Sequence, residues 1–230
     1  MQKRLNINGR VLSLCQPPSS YLSSQSAQSW CKQRLEAGVQ PPVVWFLQDA
    51  VYHVLRPQAE TGRQTDVYEA WKTLKKQGVK LAVCQSSCAR RLPPGSLDND
   101  IFELSTLTQW AAELIQQAEA RTEAIYCIVD EPALNIRFLR EKIDPVLSLL
   151  ALEVPVRLVF TAAVVDHLLD DKYWRKWRML PETEELISLF LCTDDLMPEY
   201  RHSLNERGDI QFLSALEFSE ITEKSCCVYV

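Results

Sequence analysis

The chain has 230 residues, 47% of them hydrophobic, and a net charge of −5. That length holds one large domain or two small ones with real cores, and an acidic balance without a polybasic run argues against a nucleic-acid surface. No apolar run reaches the roughly 18 residues that cross a bilayer, and Met1-Gln2-Lys3-Arg4 leads into no apolar signal segment, so a cytoplasmic protein is expected.

Val11–Cys15 reads as a short strand, broken by Pro17-Pro18-Ser19-Ser20. Tyr21–Ala37 carries Leu22, Ala27, Trp30, Cys31 and Leu35 at helical spacing and stops at Gly38. Val43–Leu47 is a continuous buried-strand signal behind Pro41-Pro42. Asp66 is placed to cap a helix with Val67, Trp71 and Leu74 on its inner stripe, ending at Gly78. Val79–Cys84 is the next strand, Leu92–Gly95 a loop and Ile101–Leu104 a short strand. Leu107–Ala120 is a helix with Trp110, Leu114 and Ile115 inward.

The pattern then restarts. Ala124–Val129 is a strand, and Leu134–Leu152 is helical but interrupted at Asp144-Pro145. Val154–Phe160 is a strand, Lys172–Leu180 a short helix, and Leu186–Cys192 a strand ending in a thiol. Asp209–Leu213 is a strand, Ser214–Ile221 a helix, and Cys226–Val230 a final strand. Strands separated by helices predict an α/β fold of two tandem units, 1–120 and 121–230, each a mostly parallel sheet with helices on both faces. Gln40–Leu55 is echoed by Glu153–Leu169, which puts Cys84 and Cys192 at the same point of two copies. The first copy has no counterpart of the terminal strand. The apolar segments Ala50–Leu55 and Ala162–Leu169 read as partner surface, between the halves and in a larger oligomer.

Eight cysteines, Cys15, Cys31, Cys84, Cys88, Cys127, Cys192, Cys226 and Cys227, lie mostly inside apolar periodic segments, so reduced thiols are expected. Without paired Cys-x-x-Cys motifs, and with only His53, His167 and His202 as histidines, no structural zinc is expected. No Gly-x-Gly-x-x-Gly or P-loop occurs, so no nucleotide cofactor is expected either.

Cys84 stands out among these thiols. It closes an apolar strand and is followed by Gln85-Ser86-Ser87-Cys88-Ala89-Arg90-Arg91. A thiol where a helix begins faces backbone N–H groups and the positive end of the helix dipole, and Arg90 and Arg91 follow one turn later; such a setting favours the nucleophilic thiolate. The alternative is a small buried hydrophobe, as cysteine often is. Cys88 is either a resolving thiol or a packing residue. Cys192 precedes Thr193-Asp194-Asp195 and reads as structural, because acidic neighbours raise a thiol's pKa. Asp49, Tyr52 and His53 are candidate pocket residues, with Tyr52 and His53 equally open to core or interface roles. Trp174 and Trp177 with Lys172, Arg175, Lys176 and Arg178 form either a basic-aromatic contact patch or an ordinary amphipathic surface helix.

Three stretches carry a family resemblance: Phe46-Leu47-Gln48-Asp49-Ala50-Val51-Tyr52, then Asp66-Val67-Tyr68-Glu69-Ala70-Trp71, then Gly78–Cys84 with Ala89-Arg90-Arg91. In this order they resemble the DsrE/DsrF-like sulfur-relay proteins, the first half looking like the TusD/DsrE subunit. The second half resembles the TusC/DsrF subunit through Leu152-Glu153-Val154-Pro155-Val156 and Val164–Leu169. The resemblance implies that Cys84 accepts a sulfane sulfur as a persulfide and that Arg90 and Arg91 stabilise the anion. It implies a TusA-like donor and a TusE/DsrC-like acceptor, in thiolation of the tRNA wobble uridine or in sulfur oxidation. It further implies an oligomer, with a TusB/DsrH-like third subunit beside two fused ones. The chain departs from the pattern in its glycine-free loop Gln16–Ser20, its extra thiol Cys88 and its acidic Asp130-Glu131-Pro132-Ala133. A non-catalytic assembly subunit and a Cys84/Cys88 redox switch remain as alternative readings.

Overall fold

The computed structural model describes residues 11–57, 62–119, 124–130, 132–133, 135–180, 186–192, 198–206 and 210–230. The chain divides into two compact units, one ending at Glu113 and the next beginning at Leu114.

The first unit is a parallel sheet in the order β1-β2-β3-β4. Its strands are β1 (Val11–Leu14), β2 (Val43–Phe46), β3 (Lys80–Cys84) and β4 (Glu103–Ser105). All four residues of β2 are buried, as are Leu81–Cys84 of β3, so each strand is apolar on both faces rather than alternating. One face packs Val44, Phe46, Leu81 and Val83 on α1 (Tyr21–Glu36) and α2 (Arg63–Lys76). Phe46 is the hub, with Trp71 and Phe102 edge-on at 5.2 and 5.4 Å between ring centroids. Trp45 points the other way and donates its indole N–H to Glu113 at 2.6 Å, on α4 (Leu107–Glu119).

Several expectations need correction. Leu22 is 78% exposed and does not belong to the inner stripe. Ala27, Trp30 and Cys31 are buried as expected, and Ser24, Gln28 and Arg34 join them on the buried side of α1; Ser24 and Gln28 are tolerated there because each finds a buried hydrogen-bond partner. Asp66 lies in the first turn of α2 and does not cap it; Gly62 occupies the cap position. A carboxylate inside the first turn still meets the positive end of the helix. At the other end of α2, Gly78 takes φ 96°, a value that favours glycine. The short strand after the loop falls at Glu103–Ser105, because Ile101 and Phe102 are drawn into the core before the chain joins the sheet edge.

The second unit has the order β8-β7-β6-β5-β9, all parallel. Its strands are β5 (Ile125–Val129), β6 (Val156–Phe160), β7 (Leu186–Cys192), β8 (Ile210–Leu213) and β9 (Cys227–Tyr229). Strands β5 to β8 repeat the order of β1 to β4, and β9 adds a strand beside β5 that has no counterpart among the described residues of the first unit. Cys84 and Cys192 end the third strand of their respective sheets. One face packs Tyr126, Ile128 and Val159 against Phe218 and Ile221 of α9 (Ala215–Lys224). On the other, Phe160 meets Trp177 of α7 (Asp171–Arg178) at 5.2 Å.

The expected break at Asp144-Pro145 does not occur: α5 (Ile136–Leu150) runs through Pro145. An interior proline costs a helix about 3 kcal/mol. Buried Leu139 lies before it and Val146, Leu149 and Leu150 after it, so an apolar stripe anchors both sides. Trp174 and Trp177 are buried while Lys172, Arg175, Lys176 and Arg178 are exposed, the pattern of an amphipathic surface helix. The described residues of the unit also form two shorter helices, α6 (Val165–Leu169) and α8 (Pro198–Asn205).

The apolar segments read as partner surface are largely consumed within their own units. Gln48–Val54 is a 3-10 helix that buries Ala50, Val51, His53 and Val54. In the second unit Val164, Val165 and Leu168 are buried likewise. The chain stays apolar past the end of each second strand because it folds back onto the core as a tight turn.

Candidate functional site

The carboxyl ends of β1, β2 and β3 meet where the chain leaves each strand, which is where crevices form in open parallel sheets. Backbone hydrogen bonds tie these exits together: Leu47 N–H donates to Leu14 O at 2.9 Å and Ala50 N–H to Cys15 O at 3.1 Å. Gln48 takes φ 50°, a left-handed conformation uncommon for a residue with a side chain. Its N–H donates to the buried Ser87 hydroxyl at 3.2 Å, fastening the turn after β2 to α3 (Gln85–Arg91).

Cys84 is the last residue of β3 and the residue before α3, and it is 1% exposed. Its Sγ lies 3.2 Å from the Ser86 hydroxyl. Arg90 reaches back one turn, donating from Nε to Ser86 O at 3.1 Å and from Nη2 to Ser86 Oγ at 3.3 Å. Arg91 turns the other way and donates from Nε to Asp49 Oδ1 at 2.7 Å, so its charge is shared with a carboxylate. Cys88, half-buried against the core, has its thiol pushed up to about 11, first by burial and then by the Cys84 charge, against a lowering by Arg91.

Of the residues singled out in the sequence, Cys84, Cys88 and Arg90 therefore gather on α3 and its approach, with Arg91 and Asp49 paired beside them. His53 serves the core. Its Nδ1–H donates to Ala50 O and its Nε2 accepts from Ser24 Oγ, both at 2.8 Å, and burial pushes its pKa down to about 4. Those partners suit the neutral ring. Tyr52 is about one-third exposed and lines a neighbouring cleft of about 1510 Å³ together with Asp49, His53, Arg56, Tyr68 and Asp98. Cys84 is not part of that lining.

A polar cluster that no motif marks lies in this cleft. Asp98 accepts from Arg56 Nε at 2.7 Å, from the Tyr68 hydroxyl, and from Asp100 N–H at 3.2 Å. The Arg56 hydrogen bond chiefly holds its carboxyl below the usual range, against burial. Ser86 and Ser87 read in sequence only as small polar residues, marked by lying between two thiols and ahead of two arginines.

Two other thiols, Cys31 and Cys127, are sealed in the core. Burial pushes Cys31 up to about 12 and Cys127 higher still. Cys192 ends β7, but Thr193-Asp194-Asp195 lie outside the described residues. Among the described residues no His, Cys, Asp and Glu group is arranged to hold a metal ion, and no helix is long and apolar enough to cross a membrane.

No curated protein matches the chain. Residues 17–120, the stretch that contains Cys84 and everything described around it except the ends of β1, match the DsrE/DsrF-like family.

Proposed function

We propose that the chain is a sulfur-relay protein in which Cys84 carries the sulfur. Relay of sulfur is the general association of the DsrE/DsrF-like family, and the match covers the stretch that contains this thiol. The observation that carries the reading is the placement of Cys84: it ends β3 at the carboxyl edge of the sheet, beside a hydroxyl and an arginine, and is 1% exposed. A persulfide is consumed by stray thiols, so a shielded carrier preserves it until a partner docks.

The transfer is isoelectronic. The Cys84 thiolate attacks the outer sulfur of a donor persulfide, the donor's S–S bond breaks, and the donor leaves as a thiolate. An acceptor thiolate then attacks the outer sulfur on Cys84, whose own sulfur leaves. No metal, nucleotide or external oxidant enters the step. In the fuller form of the proposal, residues 1–120 act as the TusD/DsrE-like part and residues 121–230 as a TusC/DsrF-like structural part. The donor is a TusA-like carrier and the acceptor a TusE/DsrC-like one, in tRNA thiolation or sulfur oxidation, within a cytoplasmic oligomer that includes a TusB/DsrH-like subunit.

The redox-switch reading needs Cys88 as attacking thiolate, and a thiol pushed up to about 11 is a poor one at neutral pH. Intact mass after incubation with a persulfide donor tests the relay. One added sulfur atom, absent from C84S, is expected. No gain supports an assembly subunit, and loss of two hydrogens requiring both Cys84 and Cys88 supports the switch.

A further inference from the structure

Ser86 holds a position between a cation and a thiol that packing alone does not call for. It is exposed, so no core contact fixes its side chain. Its carbonyl accepts Arg90 Nε at 3.1 Å and its hydroxyl oxygen accepts Arg90 Nη2 at 3.3 Å, so the guanidinium is clamped to one residue at two points. The same hydroxyl lies 3.2 Å from Cys84 Sγ.

A serine hydroxyl has one proton and two lone pairs. An arginine N–H can only donate, so Arg90 takes a lone pair and leaves the single proton free to point at sulfur. Donation from a cation into a hydroxyl oxygen also polarises the O–H bond, which strengthens the next hydrogen bond in the chain. With Cys84 ionised, Arg90 Nη2–H, Ser86 Oγ–H and Cys84 Sγ line up with every donor aimed toward the sulfur. Such an array suits a sulfur anion better than a neutral S–H.

We propose that Ser86 is a positioning residue for Cys84, conveying the charge of Arg90 to the sulfur through its hydroxyl. The assignment rests on the reading of Cys84 as the reactive thiol. Cys88 on α3 feels the Cys84 charge and that of Arg91, which is held by Asp49 from the turn after β2. Arg91 pairs with Asp49, and Arg90 donates to Ser86. The hydroxyl thereby explains how an exposed arginine acts on a sealed sulfur.

Ultraviolet titration of thiolate absorbance tests this without requiring reagent access to a buried sulfur. The Cys84 signal is the difference between each protein and the same protein carrying C84S. S86A should raise the Cys84 midpoint by about one pH unit, the size expected for losing a hydrogen bond to a charged group. S86T retains a hydroxyl and should restore it. R90Q should raise the midpoint less than S86A does, and should add little in the S86A background, because Arg90 acts through Ser86. An unchanged midpoint in S86A overturns the assignment, as does an R90Q shift of equal size with or without Ser86. If the midpoint moves as expected while no sulfur is taken up from a persulfide donor, the relay reading falls and the role of Ser86 stands. Uptake with an unmoved midpoint does the reverse.

Discussion

Where β2 ends, the first unit turns through Gln48–Val54; where β6 ends, the second turns through Ala162–Leu169. Both turns are apolar, both fold back onto their own core, and both contain a histidine. The histidines differ. His53 is sealed, with both ring nitrogens bonded, while His167 is half-buried and stacked on Tyr173 at 4.2 Å between centroids. The polar surroundings differ too. In the first unit the turn is fastened to the residues after Cys84 through Gln48–Ser87 and Asp49–Arg91. In the second, Thr161, at the position Leu47 holds in the first, leaves its buried hydroxyl without a partner among the described residues. The repeated strand order sets where a strand-end thiol falls. The short polar segments after the strands decide what chemistry that thiol meets.

The largest expected effect separates the two turns through acid. His53 has its pKa lowered to about 4 by burial, from an unfolded value near 6.5. Between those values the unfolded chain binds the extra proton, so stability is complete above about pH 6.5 and is lost as pH falls toward 4. The loss reaches about 3 kcal/mol. Urea denaturation across this range should show it, and H53Q should flatten the slope. A wild-type stability that holds level from pH 7 to 4 would break the contrast.

Asp98→Asn should cost about 2 kcal/mol, because it removes the charge and turns one of the two buried oxygens that serve Arg56, Tyr68 and the Asp100 N–H into a donor. The exposure of Arg56 limits the Coulombic share. Since the Asp98 carboxyl is held below its usual range, its stabilisation is present above the unfolded carboxylate pKa and fades as pH falls through the folded one. A D98N protein as stable as wild type at pH 7 would contradict this.

In the second unit, Ser214 accepts from Glu217 N–H and its own N–H donates to the Glu217 carboxylate, a reciprocal cap on α9. Ser214→Ala should cost about 1 kcal/mol by thermal or urea unfolding. It should leave sulfur uptake at Cys84 untouched; a loss of uptake would mean the units are not separable in function.

Asp49→Asn should cost the least, about 0.5 kcal/mol, because the carboxylate is about half exposed. That cost should shrink in high salt. A salt-independent loss of several kcal/mol would show that the Asp49–Arg91 pair holds the turn by more than surface attraction.

Much of the fold was legible because parallel strands buried on both faces read as continuous apolar runs, as Val43–Phe46 and Val156–Phe160 do. What escaped lacks that signal. Helix α8 buries only Leu204 among its residues and has no stripe to read. Pro145 reads as a break until its flanking residues are seen in the core. Cys84 was legible from its strand and its arginines, yet the two arginines looked alike in sequence and behave differently: Arg90 turns to Ser86 and Arg91 to Asp49. Asp98 belongs to Leu97-Asp98-Asn99-Asp100, which reads as a solvated loop, since its partners Arg56 and Tyr68 lie far along the chain. Helical position could be counted from the sequence, whereas the choice of hydrogen-bond partner depends on tertiary neighbours.

The central claim is that sulfur resides on Cys84 and not on its repeat counterpart. After incubation with a persulfide donor, alkylation of the persulfide followed by proteolysis and mass spectrometry locates it directly. The account predicts the modified persulfide on the peptide containing Cys84, in the wild type and in C192S alike, and on no other cysteine peptide. A persulfide found on the Cys192 peptide, or persisting in C84S, would contradict it.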